Sequence, residues 1–134
     1  MTVVDSSVAV AAFAVWHAQH DAADEVLGKG AWLPAHCALE MFSVLTRIPP
    51  PRRVPGHLVR DFLADRFRDP YISLDAEGYR ALIPRLVELG IDGGAVYDAL
   101  VAATTIGAGE RLVSCDRRAA QTYERLGVDF RLLP

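Results

Sequence analysis

The chain opens on a β-branched run, Thr2-Val3-Val4, that stops at Asp5. Such a run predicts a buried strand. Ser6 and Ser7 then offer helix caps, and the apolar stretch Val8–Val15 predicts a helix. His17–Leu27, with Asp21, Asp24 and Glu25 on a polar face, predicts a second helix, stopped by Gly28 and Gly30. Ala31-Trp32-Leu33 predicts a second strand closed by Pro34. Ala35–Ile48 is apolar at helical spacing until Pro49-Pro50-Pro51 ends it, and another helix is expected between Pro55 and Arg68.

The same reading continues to the end of the chain. Tyr71-Ile72-Ser73-Leu74 predicts a third strand, and Ala76–Leu89 a helix that Pro84 is placed to kink. Ala95–Ile106 is a helix apolar nearly all round, Arg111–Ser114 a fourth strand, Asp116–Leu126 a helix and Val128–Leu133 a last strand. Strands alternating with helices predict an α/β fold, a mostly parallel sheet of about five strands covered on both faces. Ligands of such sheets bind beyond the carboxyl ends of the strands, near the switch in strand order. Asp5 and Asp116 both fall at such ends.

Composition narrows the class. At 134 residues, 51% hydrophobic and 23% charged, the chain fits a single domain over 1–134 with a sizeable core. Disorder, collagen-like repeats and disulfide scaffolds are excluded. A net charge of −3 argues against a uniformly basic nucleic-acid binder while leaving room for a local basic face. Lys29 is the only lysine, and Gly28-Lys29-Gly30 lacks the spacing of a phosphate-binding P-loop. Cys37 and Cys115 are far apart, and the apolar run Val8–Val15 is much shorter than the ~20 residues a membrane span needs. With no leader-like start either, a soluble, reduced, cytoplasmic protein with no membrane association is expected.

Four carboxylates carry the candidate chemistry. Asp98 is the only charged residue between Gly93 and Gly109, on a helix that should be buried on all sides. A carboxylate there is costly unless it is paired, hydrogen-bonded or metal-bound. The plain alternative is a solvent-facing charge favoured by the first turn's dipole. Asp5 could equally be an N-cap, and Asp116 could simply begin a helix. Their matching positions after Thr2-Val3-Val4 and Leu112-Val113-Ser114-Cys115 are more telling than either alone. Glu40 shares a stripe with His36, Ser43 and Arg47, which by itself reads as an ordinary solvated face. No HExxH or His/Cys cluster supports zinc. Carboxylates alone suit Mg²⁺ or Mn²⁺, hard cations that take oxygen ligands and keep several waters.

Taken together, Val3-Val4-Asp5-Ser6-Ser7, Glu40 in an apolar helix, Tyr97-Asp98-Ala99 with Ala102-Ala103, and Leu112-Val113-Ser114-Cys115-Asp116-Arg117 resemble PIN-domain proteins. More narrowly, the pattern resembles the VapC toxins of type II toxin–antitoxin modules, and it spans essentially the whole chain. The resemblance implies a three-layer α/β/α sandwich and a Mg²⁺-dependent endoribonuclease, Mn²⁺ substituting. Asp5, Glu40, Asp98 and Asp116 would form the acidic quartet around the metal. Ser114 would stand outside it as a donor orienting a carboxylate or water. The resemblance further implies a tRNA or rRNA substrate, a VapB-type antitoxin that blocks the site, and a homodimer.

Other features are weaker. Arg117, next to Asp116, is the candidate phosphate contact. Arg52, Arg53, Arg60, Arg66 and Arg68 read as a solvated face, with Asp61, Asp65 and Asp69 interleaved. Trp16, Trp32 and Tyr71 read as core or interface residues. Asp92, in the glycine-rich loop, is not assigned to the site. Two alternatives are weighed against hydrolysis. One is a catalytically silent PIN-like binding module. The other is a Mg²⁺-binding phospho-acceptor domain, which lacks the lysine that chemistry needs after its last strand.

Overall fold

In the computed structural model, which describes residues 1–134, the opening β-branched run forms strand β1 (Thr2–Val4). Val3 and Val4 are both fully buried, so both faces of the sheet are covered, as parallel sheets require. Asp5 turns the chain into helix α1 (Ser6–Phe13), accepting hydrogen bonds from the backbone N–H groups of Ser7 and Val8. Helix α2 (His20–Gly28) and strand β2 (Ala31–Trp32) follow. Helices α3 (Ala35–Arg47), α4 (Gly56–Arg66), α5 (Ala76–Leu89) and α6 (Ala95–Gly107) then precede strand β3 (Arg111–Ser114). Helix α7 (Ala120–Leu126) and strand β4 (Phe130–Leu132) complete the fold.

The sheet has four strands in the order β2-β1-β3-β4, every neighbouring pair parallel. From β1 the chain first crosses to β2 on one side, and later builds β3 and β4 on the other. Right-handed crossovers in opposite directions place their helices on opposite faces. The helices pack as two groups, α1, α2, α3 and α4 on one another and α5, α6 and α7 as a second, so the connection from β2 to β3 begins in the first layer with α3 and α4 and ends in the second with α5 and α6. A continuous core of 32 buried residues runs through all three layers, with Val3, Val4, Leu112 and Val113 at its centre. Each such side chain contributes roughly 1.5–3 kcal/mol by burial.

Four strands stand where about five were expected, and the missing one is Tyr71–Leu74. That segment makes a single parallel bridge, Ile72 to Pro34. Ile72 donates its N–H to Leu33 O at 3.1 Å, and its own carbonyl accepts the Ala35 N–H at 2.9 Å. Helix α3 begins at Ala35, the residue after Pro34, so the partner strand ends there and the pairing closes after one residue.

The helix expected over Val8–Val15 ends at Phe13, because Ala14 is extended and the His20 ring caps the carbonyl of Ala11 at 2.9 Å. The helix expected from Asp116 starts only at Ala120, because the Asp116 carboxylate turns the chain by accepting the Arg118 N–H. The expected last strand, Val128–Leu133, is confined to Phe130–Leu132. Helix α5 continues through Pro84. No helix is long and apolar enough to cross a membrane.

Candidate active site

The strand order reverses between β1 and β3, since the chain leaves β1 for β2 on one side and returns to build β3 on the other. In open α/β sheets the crevice beyond that point is the usual ligand site. Asp5 follows β1 directly, and Asp116 lies two residues beyond β3. The fold therefore delivers both aspartates to one crevice from strands that are hydrogen-bonded neighbours.

Asp5 is almost fully buried at 4% exposure and densely bonded. Its Oδ1 accepts the Ser7 N–H at 3.1 Å, the Val8 N–H at 3.3 Å and the Ser7 hydroxyl. Its Oδ2 accepts the Tyr123 hydroxyl at 2.7 Å. Burial raises the Asp5 carboxyl above its ordinary range, while hydrogen bonds from Ser114, Ser7, Tyr123 and Val8 oppose that rise. The same burial, with the negative charge of Asp5 beside it, pushes the Tyr123 phenol well above its usual value. Tyr123 thus stays protonated and remains a donor. Each carboxylate oxygen has two lone pairs, so Oδ2 retains acceptor capacity that Oδ1 has exhausted.

Ser7 and Ser114 tie this corner to the next strand. The Cys115 N–H donates to Ser7 Oγ at 2.8 Å, Ser7 Oγ lies 3.3 Å from Ser114 Oγ, and the Asp116 N–H donates to Ser114 Oγ at 2.9 Å. Ser114 itself is fully buried. It orients both the turn carrying Asp116 and the carboxylate of Asp5. The Asp116 Oδ1 accepts the Arg118 N–H at 2.9 Å, and the Arg118 Nε lies 3.9 Å from the same oxygen. Arg118 lines a groove of about 290 Å³ with Ser6, Ser7, His17, Cys115 and Asp116. Arg117 is exposed and outside that lining.

Across the crevice stand the first two turns of α3 and the first turn of α6. Glu40 Oε1 accepts the Ser6 hydroxyl, and Glu40 Oε2 lies 3.3 Å from His36 Nε2 one turn earlier. The His36 ring stacks on Tyr97, centroids 5.1 Å apart and planes within 3°. Next to Tyr97 is Asp98, half-buried, which sits in the field of all the other acids. Its carboxyl is pushed up to about 6, first by burial and then by the charges of Asp116, Glu40 and Asp5; His36 pulls the other way.

The structure therefore brings Asp5, Glu40, Asp98 and Asp116 into one shared negative field. They are not closed into a cage, for no three histidine, cysteine, aspartate or glutamate side chains stand ready to hold an ion. The donor set is made of hard oxygens, and the repulsion that lifts Asp98 is what a divalent cation would relieve. A cation that keeps several of its waters needs only one or two direct carboxylates. The residues fit a Mg²⁺- or Mn²⁺-sized ion on those grounds.

Of the hydroxyls that support these acids, only Ser114 was anticipated from the sequence; those of Ser6, Ser7 and Tyr123, and the His36 ring, were not. Ser7 reads as a helix cap, and Tyr123 carries no local signal, being 118 residues from its partner Asp5. His36 is a second omission; its spacing of four from Glu40 was visible but equally consistent with a solvated stripe. The basic cluster is largely paired on the surface, Arg66 with Asp24, Arg60 with Asp61 and Arg68 with Asp65. Trp16 is an exposed ring covered by the Arg52 guanidinium at 4.3 Å, rather than part of the core.

Comparison with known proteins places this geometry. The profile of the PIN domain matches residues 2–125. Ribonuclease VapC40 of Mycobacterium tuberculosis is 48% identical over 133 residues, covering 99% of each chain. Among solved structures, a chain of FitAcB from Neisseria gonorrhoeae superposes with a TM-score of 0.70 at 14% identity, covering 97% of this chain and 96% of that one. A chain of VapBC2 from Rickettsia felis, bound to a DNA fragment from its promoter, gives 0.66 at 15% identity, covering 99% and 98%. The solved structures speak for the fold, and the sequence relative for the lineage. The chain belongs to the PIN-domain family, in its VapC branch.

Proposed function

We propose that this protein is the toxin of a type II toxin–antitoxin module, a metal-dependent endoribonuclease that hydrolyses phosphodiester bonds of tRNA or rRNA. The observation that carries the reading is the convergence of four carboxylates on the β1–β3 crevice, where burial first and then the charges of Asp116, Glu40 and Asp5 lift Asp98 to about 6. Structural ion-pair networks pair each acid with a base; here neither Asp5 nor Asp98 has a basic side chain within ion-pair distance. Its likeness to a protein named a ribonuclease supports RNA as the substrate.

In this reading Asp98, Asp116, Glu40 and the free capacity of Asp5 Oδ2 hold Mg²⁺, with Mn²⁺ substituting. The bound metal supplies an activated water and charge stabilisation at the leaving oxygen. The protein's own part is positioning. Ser7, Ser114 and Tyr123 fix Asp5, Ser114 also fixes the turn bearing Asp116, and Ser6 with His36 fixes Glu40. Arg117 and Arg118 flank the crevice as phosphate contacts. A VapB-type antitoxin is the partner, supported by the likeness to a chain of VapBC2. We assign to it the apolar surface between α3 and α4, where Leu39, Phe42 and Tyr71 are exposed. A homodimer in the cytoplasm completes the proposal.

The deciding experiment incubates antitoxin-free protein with total bacterial RNA in Mg²⁺, Mn²⁺ or EDTA, beside Asp98→Asn. Discrete fragments that require metal and fall at least about a hundredfold in the variant are expected. Equal cleavage by the variant, or none by the wild type with either metal, overturns the reading.

A further inference from the structure

The mechanism above leaves one exposed aromatic residue unused at the mouth of the site. Tyr97 is 54% exposed, yet its ring is not free to wander. One face lies on His36, the two rings nearly parallel, and His36 is held in turn by Glu40 Oε2 at 3.3 Å. An exposed tyrosine would ordinarily sample several rotamers, and ordering it costs side-chain entropy. Here His36, itself anchored by Glu40, packs on one face of it, beside Asp98 in sequence and close enough for His36 to act on the Asp98 charge. The outcome is a flat, pre-ordered aromatic surface at the edge of a strongly negative crevice.

We infer that Tyr97, backed by His36, is a stacking platform for an unpaired base of the RNA next to the phosphate under attack. The inference rests on the ribonuclease reading for its substrate and goes beyond it in assigning these residues. Two physical arguments carry it. A base is tethered through its ribose to the phosphate that the acidic crevice addresses, so a ring on the rim lies within its reach. Stacking also suits this rim better than charge would, because every base has a π-face and a neutral ring adds nothing to the repulsion of the backbone. A paired base is covered on both faces by its neighbours, so the platform selects single-stranded or looped RNA. Tyr97 is a positioning residue here: it sets where the strand lies and leaves the acids to act on it.

The test uses the full chain and a short mixed-sequence RNA carrying 2-aminopurine, whose fluorescence falls when it stacks. Binding is followed by anisotropy with Ca²⁺ in place of Mg²⁺, to slow hydrolysis, and cleavage of total bacterial RNA is followed with Mg²⁺. Wild type should bind and quench. Tyr97→Ala should lose the quench, bind about tenfold more weakly and raise KM more than it lowers kcat. Tyr97→Phe, which keeps the ring and drops only the hydroxyl, should recover both quench and binding. Thermal unfolding and Mn²⁺ binding of Tyr97→Ala should match wild type, separating a lost platform from a damaged fold or metal site.

Tyr97→Ala that binds and quenches like wild type overturns the platform, and so does wild type that binds without quenching. RNA cleavage that persists in either case leaves the ribonuclease reading standing. Wild type that quenches yet cleaves no RNA with either metal sinks that reading and leaves the platform. Wild type that neither binds nor cleaves ends both.

Discussion

Asp5 and Asp98 are the same residue type in the same crevice, and their surroundings could hardly differ more. Asp5 sits at a strand end with four hydrogen-bond donors on its two oxygens and almost no exposure. Asp98 sits on a helix, half-buried, lifted to about 6 by burial and three like charges. The first carboxylate is part of the architecture, capping α1 and anchoring Tyr123. The second has been left wanting a counter-charge. One crevice thus divides its labour, with one acid that holds the fold together and another that the fold holds under electrostatic tension.

The comparison can be broken most sharply at Asp5. Asp5→Ala removes the cap of α1 and leaves the Tyr123 hydroxyl buried without an acceptor, at a cost of about 2–4 kcal/mol in denaturant unfolding. Asp5→Asn keeps a cap acceptor and should cost about 1 kcal/mol or less. Equal losses in the two variants would mean that the carboxylate charge, not the cap, holds this corner. The next effect has the opposite sign. Asp98→Asn should stabilise the metal-free protein, by about 1 kcal/mol or less given its partial exposure, even as it removes activity. An Asp98→Asn protein that melts below wild type in EDTA would contradict the repulsion argued here.

The same repulsion fixes a pH dependence. The folded pKa of Asp98, about 6, lies above the ordinary 3.8. Between those values the folded chain holds more protons than the unfolded one. Its contribution to stability is therefore lost as pH rises from about 4 through 6, and Asp5, also raised, pushes the same way. The difference in melting temperature between wild type and Asp98→Asn in EDTA should widen across that window and narrow when Mg²⁺ is added at neutral pH. A difference that stays flat with pH removes the effect. Tyr123→Phe deletes one donor to Asp5 and should cost about 1 kcal/mol. Loss of several kcal/mol would show that the phenol supports more than this single bond.

What could be read from the sequence follows the range of the interactions. Val3-Val4 and Leu112-Val113 announce buried strands by composition alone, so the placement of Asp5 and Asp116 beyond strand ends was legible before any coordinates. Asp98 stood out because nothing else near it is charged. Tyr71–Leu74 looked equally strand-like, but its fate was decided by its partner segment, which turns into α3 immediately after Pro34. The end of α1 depended on His20 reaching back to Ala11, and the support of Asp5 on Tyr123 arriving from α7. Contacts between distant residues leave no periodicity to detect. The acids of the site were therefore visible, and of the groups that hold them in place only Ser114 was, through the resemblance.

Ser7 deserves to be read alongside the acids wherever related chains are surveyed. Its hydroxyl gives its hydrogen to Asp5 and receives the N–H of Cys115, joining the two strand ends through one oxygen. A hydroxyl is the smallest group that can do both at once. Alanine there would leave a buried amide and a carboxylate facing each other's vacancy, and a larger side chain would wedge the crevice open. A homologue that retains all four carboxylates but carries Ala or Gly at this position should be tested for activity before it is counted as an enzyme.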